Sequence, residues 1–161
     1  MPRNKGMLLP SADIFSLSAT DAAVLARIHG ECFRDAWNVE SFSSMLSKGS
    51  FFGFLLKFQQ KPVGFVLCNS LIDETEIITM CVLSACRNKG YGKYLLKNVI
   101  VHAEQRSLKK IILEVSEDNV GGIALYESIG FQKIARRKGY YQNFCQHGNA
   151  CDALVMSLAT I

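Results

Sequence analysis

Residues 87–93, Arg87-Asn88-Lys89-Gly90-Tyr91-Gly92-Lys93, join an apolar, strand-like run to an amphipathic, helix-like one. Helix N-termini leave backbone N–H groups unpaired and carry partial positive charge. Glycines let an anion come close to those groups. The loop therefore reads as a phosphate cradle, or else as two glycines in a plain helix-entry turn. It lacks the G-x-x-x-x-G-K-S/T pattern of a nucleotide-binding loop. It lacks the dinucleotide fingerprint too, with only two glycines and no βαβ unit at the start of the chain.

Reading outward from the loop, residues 76–83 and 63–72 predict two strands joined by Asp73-Glu74-Thr75, with a further aromatic strand at 51–58 and a turn at 59–62. Upstream of these, a strand at 12–17 leads to the cap Ser18-Ala19-Thr20-Asp21, and a helix runs to Arg34. Trp37 begins a second helix, which Asn38 caps and Gly49 stops. Downstream, Leu95, Val99 and Ala103 recur at helical spacing as far as about Arg106. A strand at 110–115 follows, then a helix from Asn119 to Ile129 stopped by Gly130, then strands at 131–140 and 153–158. The order is βααβββαβαββ. An antiparallel first half and strands feeding helices in the second predict an α/β, mixed sheet with helices on both faces.

The 161 residues suit one domain, 1–161, with 49% hydrophobic and 20% charged side chains. That composition excludes a disordered chain. No apolar run reaches membrane-spanning length, and Pro10 breaks the N-terminal one, so a cytosolic protein without a membrane partner is expected. Residues 84–140 carry eleven basic and five acidic side chains, which suits an anionic ligand or a solvated helix face. No basic-aromatic repeat points to nucleic acid. Cys68 and Cys81 lie in apolar runs and read as small hydrophobes, and a disulfide framework is not expected. Cys145, His147 and Cys151 could form a metal clip, but the spacing fits no usual zinc pattern, so no metal is expected. His29, His102 and His147 have no catalytic company and read as structural or surface residues.

Taken together, several blocks resemble one family. Arg87-x-x-Gly90-x-Gly92 is similar to the Q/R-x-x-G-x-G/A acetyl-CoA signature of the GNAT acetyltransferase superfamily, and Met80-Cys81-Val82 to the strand before it. Residues 113–131, Leu113-Glu114-Val115 through Asn119 and Tyr126 to Gly130-Phe131, resemble its second block. Phe33-x-x-Ala36-Trp37-Asn38, Arg136-Arg137-Lys138-Gly139-Tyr140-Tyr141 and Asp152-Ala153-Leu154-Val155-Met156 resemble segments of the ribosomal-protein-alanine N-acetyltransferase branch. The likeness spans about residues 12–158. Departures occur at Ala36, where the branch has Pro, at Leu83–Arg87 instead of D-P-x-x-Q, and at residues 146–150, which lack the usual acidic residue.

The resemblance implies a GNAT fold, a central and mostly antiparallel sheet of about seven strands, with acetyl-CoA as co-substrate. It implies that the Met80, Cys81 and Val82 backbone pairs with the pantetheine arm and polarises the thioester carbonyl. Arg87, Asn88, Lys89, Gly90, Tyr91, Gly92 and Lys93 would hold the pyrophosphate. Asn119 would contact the cofactor, cap the next helix, or both.

Glu114 matches the general base, and an apolar strand would raise its pKa by desolvation. The alternative is an ordinary polar residue on an exposed strand face. Tyr126 matches the general acid; protonating a thiolate of pKa ~8.5 from a phenol of ~10 is uphill by about 2 kcal/mol. Its alternative is a core aromatic. Tyr140, Tyr141 and Trp37 match substrate contacts; adjacent strand residues face opposite ways, so at most one tyrosine lines the site, and a core anchor suits Trp37 better. Arg136, Arg137 and Lys138 read as a solvated strand end.

The expected reaction is direct attack by a protein N-terminal amine in a ternary complex. The N-terminal alanine of a small-subunit ribosomal protein is the expected acceptor, and the enzyme the expected monomer. A lysine amine costs about 3 kcal/mol more to deprotonate than an α-amine. An acetyltransferase for a small amine or lysine, and a non-catalytic acetyl-CoA-binding module, are the competing readings.

Overall fold

Gln59 and Gln60 both take positive φ, 49° and 67°, and close a two-residue hairpin between β2 (Phe51–Phe58) and β3 (Lys61–Leu71). Two left-handed central residues give a turn whose twist matches its strands. The computed structural model describes residues 11–141 and 150–160. Pro62, expected in the turn, lies in β3 opposite Lys57 where the register shifts. Pairing of β3 with β4 (Glu74–Val82) reaches only Gly64↔Val82, so the missing proline donor costs no bond on that side. The next turn also moves, because β4 starts at Glu74 and Ile72 is fully exposed at the hairpin tip.

β1 (Asp13–Ser16), β5 (Lys110–Ser116), β6 (Gln132–Tyr141) and β7 (Cys151–Ala159) complete a seven-stranded sheet of order β1-β2-β3-β4-β5-β7-β6. Every pair is antiparallel except β4–β5. The helices are α1 (Ala22–Cys32), α2 (Val39–Leu46), α3 (Tyr91–Gln105) and α4 (Val120–Ile129). α1 stops at Cys32, short of the expected Arg34.

The central strands are apolar on both sides because both faces are covered. Phe65, Leu67 and Cys81 pack with Leu25, Ile28 and Phe42 of α1 and α2. Val66, Cys68, Ile111 and Met156 pack with Leu95, Leu96 and Val99 of α3 and with Tyr126 of α4. Burying each such side chain contributes about 1.5–3 kcal/mol, so the two layers pin the strand ends that frame the site. This is the GNAT arrangement expected above. His102, in α3, stacks on Phe52 at 3.9 Å between ring centroids and is structural.

Candidate active site

β4 and β5 run parallel from Glu74↔Lys110 to Ile77↔Leu113, and there their pairing stops. β5 goes on beside β7 to Ser116↔Ala153, while β4 goes on beside β3 to Val82. The two strands splay, and an opening forms between them. Beyond Ile77, the β4 backbone on that side faces the opening instead of a strand; Arg87 takes its Val82 carbonyl, and the stretch before it can pair with an extended ligand.

Two cavities fill the splay. The first, about 590 Å³, runs past Met80, Cys81 and Val82 to the glycine loop. Arg87, Asn88, Gly90, Tyr91, Gly92 and Lys93 line it; Lys89 does not. Asn88 and Gly90 take positive φ, 60° and 85°, which turns the loop into α3 with Gly90 as its N-cap. A Cβ on Gly90 or on Gly121 would meet nothing within 4 Å. Both positions look into open space at a helix start, since Gly121 belongs to the first turn of α4. Two helix N-termini, with Arg87 and Lys93, thus converge on one concavity, and these residues fit the pyrophosphate of a coenzyme A thioester. The Tyr91 side chain is buried in the core. Arg87 ties the loop to β4, its Nε donating to the Val82 carbonyl at 3.0 Å.

The second cavity, about 560 Å³, holds Glu114, Tyr141, Trp37, Arg34 and Asp35 among its lining. Both cavities are lined by Met80, Asn119 and Tyr126, so they meet there. Asn119 Oδ1 accepts from Gly122 N at 3.0 Å, so the cap is real, and the same residue borders both cavities. Tyr126 is nearly buried, and burial, then the neighbouring Tyr141, pushes its phenol up to about 12.

Glu114 is not alone in an apolar strand. Arg137 of β6 donates to its Oε1 at 2.8 Å across the intervening β7, and stacks 3.9 Å over the Tyr140 ring. Arg136 likewise joins Glu117 and Asp152, so this strand end is an ion-pair ladder and not merely solvated. Tyr141 lines the cavity, while Tyr140 stands outside it, 47% exposed. Trp37 precedes the α2 cap and is 36% exposed. It is a wall of the cavity, not the core anchor expected.

His29 holds that wall. Its Nδ1 accepts from Trp37 N at 3.1 Å, and its ring stacks on the indole at 4.9 Å. Accepting at Nδ1 requires the neutral ring, and burial lowers its pKa. The unfolded chain takes up this proton below ~6.5 while the native state refuses it. The contribution is therefore whole above that pH and is lost as pH falls toward the lowered native value. His29→Asn keeps an acceptor oxygen but does not titrate. The stability advantage of the natural chain over this variant should shrink between about pH 7.5 and about pH 5. Urea midpoints of both proteins check it; a constant difference defeats it. Comparing the two cancels Glu76, raised by burial and then by Glu114 and Glu74, and His102, lowered by burial and then by Arg106. Asp73 and Asp152, lowered by Lys109 and Arg136, act only below 3.8.

Cys32 at the end of α1, with Phe33, Arg34 and Asp35 just past it, also lines the site, as do Gly121, Gly122 and Leu125 of α4. Glycines at 121 and 122 were visible as such, but nothing in the sequence told that they face the glycine loop. Cys151 is disulfide-bonded, contrary to expectation. Cys145 and His147 lie outside the described residues. Among the described residues there is no group of three metal-ligating side chains, and no helix long and apolar enough to cross a membrane.

An enzyme that brings an anionic, extended donor to an acceptor across a split sheet is the class this geometry defines. The profile of the Acetyltransferase (GNAT) family matches residues 22–131. The ribosomal protein bS18-alanine N-acetyltransferase of Escherichia coli is 30% identical over 145 residues, 90% of this chain and 95% of that protein. The corresponding Haemophilus ducreyi enzyme is 33% identical over 100 residues, 62% of this chain and 68% of its own. The crystal structure of the Escherichia coli enzyme superposes with a TM-score of 0.86 at 28% identity, over 92% of this chain and 94% of that one. The chain belongs to the GNAT acetyltransferase family and is an N-acetyltransferase.

Proposed function

We propose that the enzyme transfers an acetyl group from acetyl-CoA to the N-terminal amine of a protein, the N-terminal alanine of a small-subunit ribosomal protein. The observation that carries this is the meeting of two cavities at Met80, Asn119 and Tyr126. One has the cationic, glycine-lined end that suits a donor, and the other has the carboxylate that suits an amine. Acetyl-CoA supplies the activated thioester. Arg87, Lys93 and the two helix N-termini hold its phosphates, and the free β4 edge takes the pantetheine arm.

The acceptor arrives as an ammonium of pKa ~8, about a tenth of it neutral at pH 7. Glu114 accepts the proton, and the incoming ammonium competes with Arg137 for its carboxylate. With its phenol at about 12, Tyr126 is a poor proton source. Full transfer to a thiolate of pKa ~8.5 is uphill by about 5 kcal/mol, against the 2 expected from an ordinary phenol. Tyr126 therefore steadies the leaving sulfur by donating a hydrogen bond, and the proton arrives through water. Tyr141 and Trp37 flank the peptide.

The test is CoA release with an alanine-starting ribosomal N-terminal peptide, the same peptide with a blocked N-terminus and an internal lysine, and polyamines. Release with the free N-terminus alone is expected. Release only with lysine or polyamine would overturn the acceptor. Silence throughout, with acetyl-CoA still bound, would leave a binding module.

A further inference from the structure

Two thiols meet at the wall of the donor cavity. Cys32 ends α1, Cys81 lies next to the end of β4, and both are free. Cys81 directly precedes Val82, whose carbonyl the Cys32 side chain reaches. Cys81 belongs to the buried cluster under α1 and α2, and Cys32 packs against that cluster while partly exposed. Both line the donor cavity, and Cys32 also borders the acceptor cavity. The Cys32 thiol donates to the Val82 carbonyl at 3.7 Å, the oxygen that also receives Arg87 Nε. A guanidinium therefore stands beside Cys32.

An open thiol next to a cation, backed by a buried thiol, is the arrangement of an attacking and a resolving cysteine. Cys81 first, and then Arg87, pull the Cys32 thiol below its ordinary range, against the pull of its own burial. Cys81 is pushed up, by Cys32 and then by burial. Of the two, Cys32 is the open thiol beside the guanidinium, and Cys81 is the buried one behind it.

We propose that Cys32 is a modification site for coenzyme A disulfide entering the donor cavity, and that Cys81 resolves the adduct into a Cys32–Cys81 disulfide. This rests on reading that cavity as the coenzyme A site. In the first step Cys32 gives its proton to water and its sulfur attacks one sulfur of the small disulfide, forming the mixed disulfide and releasing one CoA thiolate. In the second, Cys81 loses its proton to water and attacks Cys32 sulfur, releasing the second CoA thiolate. The protein dithiol is oxidised by two electrons, and the disulfide is reduced to two thiols. The new bond would clamp the end of α1 to the strand that holds the pantetheine arm, so donor binding is lost until a thiol reductant restores it.

The test incubates the reduced full-length protein with coenzyme A disulfide and maps peptides without reduction. A Cys32–Cys81 linked peptide is expected, with loss of acetyl-CoA binding that dithiothreitol reverses. Cys81→Ala should instead accumulate a CoA adduct on Cys32, and Cys32→Ala should form neither product. If Cys32 and Cys81 stay fully alkylatable in the natural chain, or the adduct sits on Cys86, the proposal is overturned. Hydroxyethyl disulfide, which lacks the nucleotide, is the second probe; linkage by it but not by coenzyme A disulfide overturns the choice of oxidant. Calorimetry of acetyl-CoA on the reduced protein separates the causes. If binding is intact, failure belongs to this proposal; if it is absent, failure belongs to the cavity reading.

Discussion

Glu114→Gln is expected to lower kcat by about 10²–10⁴-fold, the range for removal of a general base, and to leave acetyl-CoA affinity unchanged. The substitution is nearly isosteric. The glutamine carbonyl can still accept from Arg137, whose guanidinium sits at 2.8 Å in the natural protein. The strand, the ion-pair ladder and the cavity wall should therefore persist, and only proton acceptance is removed. Glu114 lines the acceptor cavity and not the donor one, so the donor contacts are not touched. A loss confined to the chemical step lowers kcat and kcat/KM together. Initial rates of CoA release with the alanine-starting peptide, paired with calorimetric titration of acetyl-CoA, read both quantities. Raising the pH should recover part of the loss, because a larger share of the α-amine is then already neutral. Equal turnover of variant and natural enzyme at pH 7 would sink the assignment.

The parts of this site that were legible in the sequence are those written in local chemistry. Gly90 and Gly92 between a strand and a helix, the Asn119 cap and the Gly130 stop are short-range signals, and each holds in the structure. The strand and helix order was legible for the same reason, since apolar periodicity is local. Strand ends were not. Ile72 has strand propensity yet sits at a hairpin tip, where Asp73 pairs with Lys109. That pairing is set by β5, far along the chain.

The splay of β4 from β5 was illegible by composition alone. Alternating burial continues along β4 past Ile77, through Thr79 and Cys81, although its parallel partner has gone. Nothing in that alternation records where a neighbour leaves. The Glu114–Arg137 pair was missed because a third strand, β7, lies between its owners. Only the sheet order reveals that a long arginine on β6 spans it. Trp37 was misjudged because a lone tryptophan before a helix normally anchors a core. Here His29, Phe42 and Phe65 are the buried rings, with the indole stacked outside His29. Tyr141 lines the cavity and Tyr140 does not, yet their rings meet edge to face at 5.2 Å where the β6 register shifts, so simple strand alternation does not set them apart.

Gly90→Trp is expected to weaken acetyl-CoA binding by about 10²–10⁴-fold, the effect of losing two charge-assisted hydrogen bonds worth roughly 1.5–3 kcal/mol each. Gly90 caps α3 at φ 85°, and a Cβ there would point into space with nothing within 4 Å. That space is the end of the cavity proposed to take the phosphates, bordered by Asn88, Gly92 and Lys93. An indole placed in it displaces the ligand rather than the protein. Backbone strain is the competing cause, since a side chain at positive φ costs about 1–2 kcal/mol. Gly90→Asn separates the two, because asparagine tolerates the left-handed region and is small. Both variants should lose similar, modest stability by thermal melting, and only the tryptophan should lose the ligand in calorimetric titration. Similar losses of affinity in both would assign the effect to the backbone of the loop. Unchanged affinity in Gly90→Trp would remove the phosphates from this helix start altogether, and with them the donor role of the cavity.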